Sequence, residues 1–331
     1  MAGIITLRQF PSETALKTLD FNVTLGFIFR CMNEKSLAYS DQLSRHKPAV
    51  NASHLVGTQA DHGIVDSLLH PLAILIRQVL TRSGRMELNL ILIDDEKNIL
   101  EALDAGIGFH SIYYSQENIS SELVGKLPAN VKIYKVTRRT CKKLFENDKV
   151  ARVFAIAHTP AMPGLDSLLE TQRDIVVLED LTISGNVGAI VRTSLAFGAG
   201  GIVLLNAEPV DVFDRRIIRA SRGYIFSLPM ITATTEEFIR FCRANDLSIL
   251  VMTARAKEPV PKATAIPRQL AIVFGSEKSG SSQMLLDAAR LQVQIPTNSK
   301  VESLNVSTAA GIMLYNRLWF NHLPAGKRAD L

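Results

Sequence analysis

The sequence predicts an α/β protein of two domains, the second built on a mostly parallel sheet. Short apolar, β-branched runs alternate with helical-period segments from about residue 85 onwards, the pattern of repeated strand and helix units. A stretch with two prolines and a glycine, 159–171, interrupts that alternation and marks a domain boundary. Three of the later apolar runs lead directly into turns of Gly, Ser and Asn, and 331 residues suffice for two separate cores.

Residues 1–80 read as an N-terminal extension of helical character. One or two helices fit 13–33, and another fits 62–81 with Pro71 as its break. His46, His54, His62 and His70 recur every eight residues, too far apart along a helix to share an ion, and no acidic or cysteine ligands accompany them, so no metal is expected. Residues 81–160 form the first α/β domain. Its strands are expected at 88–93, 110–114, 131–136 and 153–158, and its helices at 96–105, 120–127 and 137–147. A linker, 161–172, follows. The second domain, 173–322, has expected strands at 175–178, 202–205, 248–253, 271–274 and 293–295. Helices fall at 187–197, 235–245 and 283–289, and a last one starts near Ser303. Residues 323–331 are a tail.

Composition narrows the class of function. Hydrophobic content of 47% against 21% charged excludes a disordered chain. The net charge of +5 permits an RNA partner without establishing one. Three cysteines without a CxxC exclude a disulfide framework or zinc ribbon, and make a reducing cytoplasm the default. No apolar run is long enough to span a membrane, and the N-terminus lacks the pattern of a signal peptide.

The stretch around which the chain is organised is 178–193, LEDLTISGNVGAIVRT: a strand end, a Ser184-Gly185-Asn186 turn, then a helix bearing Arg192 four residues after Gly188. A strand-to-helix turn of this kind offers backbone N–H groups to an anion. Two later stretches repeat the plan: 270–280, LAIVFGSEKSG, and 291–311, LQVQIPTNSKVESLNVSTAAG. All three loops are expected at strand carboxyl ends, where open α/β sheets bind ligands. They do not suit a dinucleotide or a nucleoside triphosphate in the familiar ways. GxGxxG follows no strand, and neither Gly275 nor Gly280 leads into Lys-Ser/Thr. Basic residues cluster twice. Lys132, Lys135, Arg138, Arg139, Lys142 and Lys143 lie in the first domain, with Arg82 and Arg85 before its first strand. Arg215, Arg216, Arg219 and Arg222 lie in the second, where Asp211 and Asp214 are possible partners. The functional reading of these clusters is contact with RNA phosphates.

Taken in order, NxGxxxR, FGSE and IP followed by SLNVS resemble the SPOUT methyltransferases, and within them the SpoU-type RNA ribose methylases. The wording GNVGAIVRTSLAFGAGGIVLL, RRIIRASRGYIFSLP, FGSEKSG and ESLNVSTAAGI is similar to the thiostrepton/nosiheptide-resistance methyltransferases. Arg222 and Lys278 stand where most SpoU proteins have a small residue and Gly, and both favour the resistance subfamily. The resemblance implies an L30e-like RNA-binding domain ahead of a SPOUT domain with a deep trefoil knot, and a homodimer. It implies transfer of a methyl from S-adenosylmethionine to a ribose 2′-oxygen of an adenosine in the GTPase-associated centre of 23S rRNA, which blocks the thiopeptide. It further implies that Arg192, from the opposite subunit, touches the 2′-oxygen or the adjoining phosphate, that Asn186 orients the nucleotide, that Glu277 organises the loop, and that Asn305 completes the catalytic set. Phe274, Gly275, Ser276, Ile295, Ser303 and Leu304 would line the cofactor pocket. Two readings stand beside this one: a SpoU-type methylase for another rRNA or tRNA site, and a non-catalytic RNA-binding protein on the same scaffold.

Overall fold

The computed structural model describes residues 63–115, 119–146, 149–206, 211–261, 266, 268–298, 300–301 and 303–322. The expectations for 1–62, three of the spaced histidines among them, and for the 323–331 tail lie outside these residues.

The first domain is a five-stranded sheet in the order β1-β4-β3-β5-β2. Its strands are β1 (Ile64–Val65), β2 (Leu90–Asp94), β3 (Phe109–Tyr114), β4 (Lys132–Val136) and β5 (Val153–His158); β5 runs antiparallel to β2 and β3. Its helices are α1 (Pro71–Leu80), α2 (Arg82–Leu88), α3 (Glu96–Asp104), α4 (Ser121–Lys126) and α5 (Arg138–Leu144). The boundary expected at residue 80 is corrected. β1 pairs with β4, and α1 buries Ala73, Ile76 and Val79, so 64–80 belong to this domain. Pro71 does not break a helix but begins one. At that position its missing N–H costs nothing, and the His70 ring accepts the Leu72 N–H at 3.2 Å. The expected 88–93 strand begins two residues later, because Asn89 takes a left-handed φ of 52° that ends α2. Tyr113 stacks between Tyr134 and Phe154, and Phe145 meets Phe154 edge-on. Burial pushes the thiol of Cys141 up to about 11 and that of Cys242 in the second domain up to about 12, so both stay protonated and unreactive.

The second domain is an all-parallel sheet of seven strands in the order β10-β12-β9-β11-β6-β7-β8. These are β6 (Ile175–Glu179), β7 (Gly201–Leu205), β8 (Met230–Ala233), β9 (Ser248–Met252), β10 (Glu258–Pro259), β11 (Leu270–Phe274) and β12 (Leu291–Gln294). The helices are α6 (Ser184–Ala196), α7 (Arg215–Ala220), α8 (Thr235–Ala244), α9 (Gln283–Ala288) and α10 (Val306–His322). Side chains alternate across a strand, and two apolar clusters follow from that. Val176, Leu178, Ile202, Leu204, Ile272 and Phe274 face one cluster, while Ile175, Val177, Val203, Leu205, Ala271 and Val273 face the other. The first cluster continues into the first domain through Ile91, Ile93 and Ile99.

Ion pairs reinforce that junction. Arg85 Nε reaches Asp211 at 2.6 Å and its Nη2 reaches Asp214 at 3.3 Å. Arg215 Nε and Arg219 Nη1 reach Asp94 at 2.8 and 3.2 Å. Arg215 also caps the Lys149 carbonyl and lies over the Phe145 ring, 4.5 Å from its centre. Burial pushes the Asp94 carboxyl up, against the lowering pull of Arg215 and Arg219. Gly223, at φ 81°, lets the chain approach α3 so closely that a Cβ there would come within 2.9 Å of the Glu101 side chain. At the other end of the sheet Arg317 of α10 holds Asp174 through two bonds of 2.7 and 2.9 Å and the carbonyls of Ile266 and Arg268 at 2.7 and 3.0 Å.

Candidate active site

β12, β9, β11 and β6 lie side by side, and the loops leaving the first three at their carboxyl ends wall a cavity of about 610 Å³. It is lined by 252–255 after β9, 274–281 after β11, and 294–295, 297 and 303–306 after β12. Phe274, Gly275, Ser276, Ile295, Ser303 and Leu304 all stand in its wall. The loop after β11 folds back on itself: Ser276 N–H donates to the Gly280 carbonyl at 3.1 Å and Gly280 N–H to that of Ser276 at 2.9 Å. Gly275 makes this possible, since a Cβ there would collide with the backbone of Gly280 and Ser281.

Three expected residues form one hydrogen-bonded chain between loops far apart in sequence. Asn305 Nδ2 donates to Asn186 Oδ1 at 3.2 Å, and Asn186 Nδ2 donates to Glu277 Oε1 at 2.6 Å. Asn305 also accepts the N–H and hydroxyl of Ser307 at 2.8 and 2.6 Å, which sets the start of α10 three residues later than the expected Ser303. Ser184, Gly185 and Asn186 are the first turn of α6 and not a separate turn. Gly188 serves packing: a Cβ there would collide with Ala220 and press on Ser221 of the α7 segment.

Arg192 stands apart. It is exposed, has no hydrogen bond or ion pair to a described residue, and does not line the cavity of its own chain. It shares an outward stripe of α6 with Gly185, Ala189 and Ala196. Beside it α10 presents Thr308, Ile312, Tyr315 and Trp319, the aromatic pair being 55% and 48% exposed. Phe197 and Tyr315 join the two helices edge-on, 5.9 Å apart.

The basic residues divide. Lys135, Arg138 and Arg139 are exposed on the first domain, Arg82 is half-buried, and Arg222 is exposed at φ 57° beyond the end of α7. For Arg85 and Arg215 the expectation of RNA contact is corrected. Their side chains are 7% exposed and engaged in the domain junction, and Arg219 is partly drawn in with them. Asp214 pairs with Arg216 of the second cluster, as expected, and Asp211 and Asp214 also hold Arg85 of the first domain. Arg216 and Arg85 outweigh the effect of burial and hold the Asp214 carboxyl below its usual range.

Two features of the site escaped the sequence. The loop 253–255 joins the cavity without a Gly or Asn signature, and Glu179, fully buried at the end of β6, accepts the Ser282 N–H at 2.8 Å. A carboxylate directly after an apolar run was the available signal for Glu179. Among the described residues no group of His, Cys, Asp and Glu has the arrangement of a metal site, and no helix is long and apolar enough to cross a membrane.

The cavity suits S-adenosylmethionine. Its volume lies within the roughly 300–1,000 Å³ of small-molecule sites, and it pairs apolar walls (Leu286, Ile295, Leu304, Val306) with the backbone that the Gly275 loop exposes.

Comparison with known proteins points the same way. The SpoU rRNA Methylase family matches residues 174–315, and the N-terminal domain of thiostrepton-resistance methylase matches 62–171. A 23S rRNA (adenosine(1067)-2′-O)-methyltransferase of Streptomyces azureus is 34% identical over 77% of this chain and 96% of its own. Its counterpart in Streptomyces laurentii is 36% identical over 72% of this chain and 88% of its own. The crystal structure of an AdoMet-bound rRNA methyltransferase from Sinorhizobium meliloti, 26% identical, superposes with a TM-score of 0.70 over 79% of this chain and 98% of that one.

Proposed function

Since the chain belongs to the SpoU rRNA methylase family and carries the N-terminal domain of its thiostrepton-resistance members, we propose that it methylates the ribose 2′-oxygen of an adenosine in 23S rRNA and thereby confers thiopeptide resistance. The observation that carries this reading is the bonded chain Glu277–Asn186–Asn305 at the rim of a nucleoside-sized cavity. The target is the adenosine of the GTPase-associated centre, and the enzyme works where ribosomes are, in the cytoplasm.

When bound, S-adenosylmethionine supplies a methyl group made electrophilic by its sulfonium. Phe274, Gly275, Ser276, Ile295, Ser303 and Leu304 hold it, with the Gly275 loop offering backbone groups. A ribose hydroxyl is a weak nucleophile, so alignment is the main contribution the protein makes. Asn186 orients the acceptor nucleotide, and its amide is itself fixed from both sides by Glu277 and Asn305. Arg192 is always protonated and cannot serve as a base. It steadies the charge that develops on the 2′-oxygen or grips the neighbouring phosphate, while the proton leaves to phosphate or water.

Arg192 reaches the site from a second copy of the chain. Its stripe of small residues on α6, next to the apolar stripe of α10, is the face on which a homodimer forms. The SPOUT domain carries the family's trefoil knot at its C-terminal strands. The first domain is the L30e-like RNA-binding unit, with Lys135, Arg138 and Arg139 meeting phosphates, and Arg82 and Arg222 adding to that surface.

The test is incubation with tritiated S-adenosylmethionine and unmodified 23S rRNA fragments, one carrying the stem-loops of the GTPase-associated centre and a control with a 2′-deoxy target adenosine. Label enters the first and not the second. Label entering only other RNAs moves the substrate elsewhere, and absence of donor binding removes the methyltransferase reading. In Arg192→Ala transfer is abolished while the fold and donor binding persist; normal turnover there ends its assigned role.

A further inference from the structure

Glu179 is 1% exposed, and its two carboxylate oxygens are used differently. Oε2 accepts the Ser282 N–H at 2.8 Å; Oε1 is buried with no partner among the described residues. Ser281 is covalently joined to that same amide. It lines the donor cavity, and its buried hydroxyl also has no partner among the described residues. Buried polar groups are paired as a rule, so two unpaired ones on either side of one peptide unit call for a reason. They are complementary: one is an ionisable acceptor, the other a hydroxyl that can donate and whose direction is set by a single side-chain rotation.

The surroundings show what can move. The loop between them and β11 is fixed at its start, where Phe274 lies in register with Leu178, the residue before Glu179. It is fixed within by the paired backbones of Ser276 and Gly280. It is fixed at its end by Glu179 itself and by the Ser282 hydroxyl, which caps α9 through the Leu285 N–H at 3.5 Å. The Ser281 hydroxyl takes part in none of these contacts.

We propose that Glu179 is a positioning residue for the donor-binding loop: it holds the Ser282 amide in every state and takes the Ser281 hydroxyl on its free oxygen when S-adenosylmethionine fills the cavity. The proposal rests on the methyltransferase reading above. Through the loop it also sets Glu277, two residues after Gly275, and so the Asn186 amide that Glu277 holds.

Isothermal titration of the full-length protein with S-adenosylmethionine, alongside thermal denaturation without it, tests this. Ser281→Ala leaves the melting temperature of the ligand-free protein unchanged or slightly higher, because its hydroxyl has no partner there. It weakens S-adenosylmethionine roughly 3- to 10-fold, the effect of one hydrogen bond made only in the bound state. Ser281→Thr, which keeps the hydroxyl, restores binding. Glu179→Ala weakens binding further by releasing the Ser282 amide, and adding Ser281→Ala to it costs no more affinity. Where Glu179→Ala does not fold, the Ser281 variants decide alone. Wild-type affinity in Ser281→Ala, a lowered melting temperature in that variant, or full additivity of the two changes overturns the proposal. Failure of the wild-type protein to bind S-adenosylmethionine overturns the methyltransferase reading instead, and so separates the two.

Discussion

Asp174→Asn removes half of a buried ion pair while keeping the shape of the side chain. Arg317 is 4% and Asp174 10% exposed, and the guanidinium meets the carboxylate at 2.7 and 2.9 Å. The variant keeps Oδ1, which accepts the Leu270 N–H and Arg317 Nη2 at 2.9 Å each, but puts a donating amide against Arg317 Nε and leaves the guanidinium with neutral partners only. Removing one partner of such a pair costs about 3–5 kcal/mol, because a desolvated charge is left without its counterion. In a chain of this size each kcal/mol corresponds to about 2 °C, so the melting temperature falls by roughly 6–10 °C. Asp246→Asn is the internal control. It breaks the Arg268–Asp246 pair at 3.0 Å, whose side chains are 61% and 89% exposed, and such surface pairs contribute about 0–1 kcal/mol. Thermal denaturation followed by circular dichroism compares the two. A fall below 2 °C in Asp174→Asn, or equal falls in both variants, refutes the reasoning that burial decides which pair matters.

Other expectations follow from the site and the junction. Gly275→Ala forces the loop after β11 open, so S-adenosylmethionine binding measured by titration drops at least tenfold while the melting temperature changes little; unaltered affinity would show that the loop's closure is not what shapes the cavity. Asn186→Ala breaks the chain between Glu277 and Asn305 and lowers the methylation rate roughly 10- to 100-fold at saturating donor, an alignment effect read as kcat and not as donor affinity. Asp214 has a folded-state carboxyl below its unfolded value of about 3.9. Its stabilising contribution is therefore fully present above that value and is lost as pH falls through the folded value. Urea midpoints taken from pH 5 down to pH 2 decline over that range, and Asp214→Asn flattens part of the decline; an unchanged slope contradicts the assignment.

The continuous apolar runs 175–178, 202–205 and 271–274 were legible because every one of those residues is buried in a central parallel strand, where the pattern has no solvent face to blur it. β8 and β10 were missed because edge strands of four and two residues hardly exceed the noise of composition. β1 and α1 were set outside the domain because Pro71 reads as a helix breaker unless its place in the first turn is known. Of the loops that wall the cavity, those after β11 and β12 were legible from their Gly, Ser and Asn content, while 253–255 after β9 carries no such signal. Arg85 and Arg215 were misread for a different reason. Their carboxylate partners lie 121 to 129 residues away, and no local pattern distinguishes an arginine that will be buried in such a pair from one that will face solvent. Glu179 escaped for a similar reason, since its partner Ser282 is 103 residues distant.

The junction between the domains bears on how these proteins can be recombined. Its ionic contacts are split across the boundary: Arg85, Asp94 and the Phe145 ring on one side, Asp211, Asp214, Arg215 and Arg219 on the other, with Gly223 set against α3. A chimera that grafts another relative's first domain onto this catalytic domain must import Asp94 and Phe145, or Arg215 loses both counterion and ring, and Arg85, or Asp211 and Asp214 lose the cation they share. The two halves, though joined by a loop that looks like a simple tether, are not interchangeable cassettes, and a transplant that respects only the linker sequence inherits a mismatched seam.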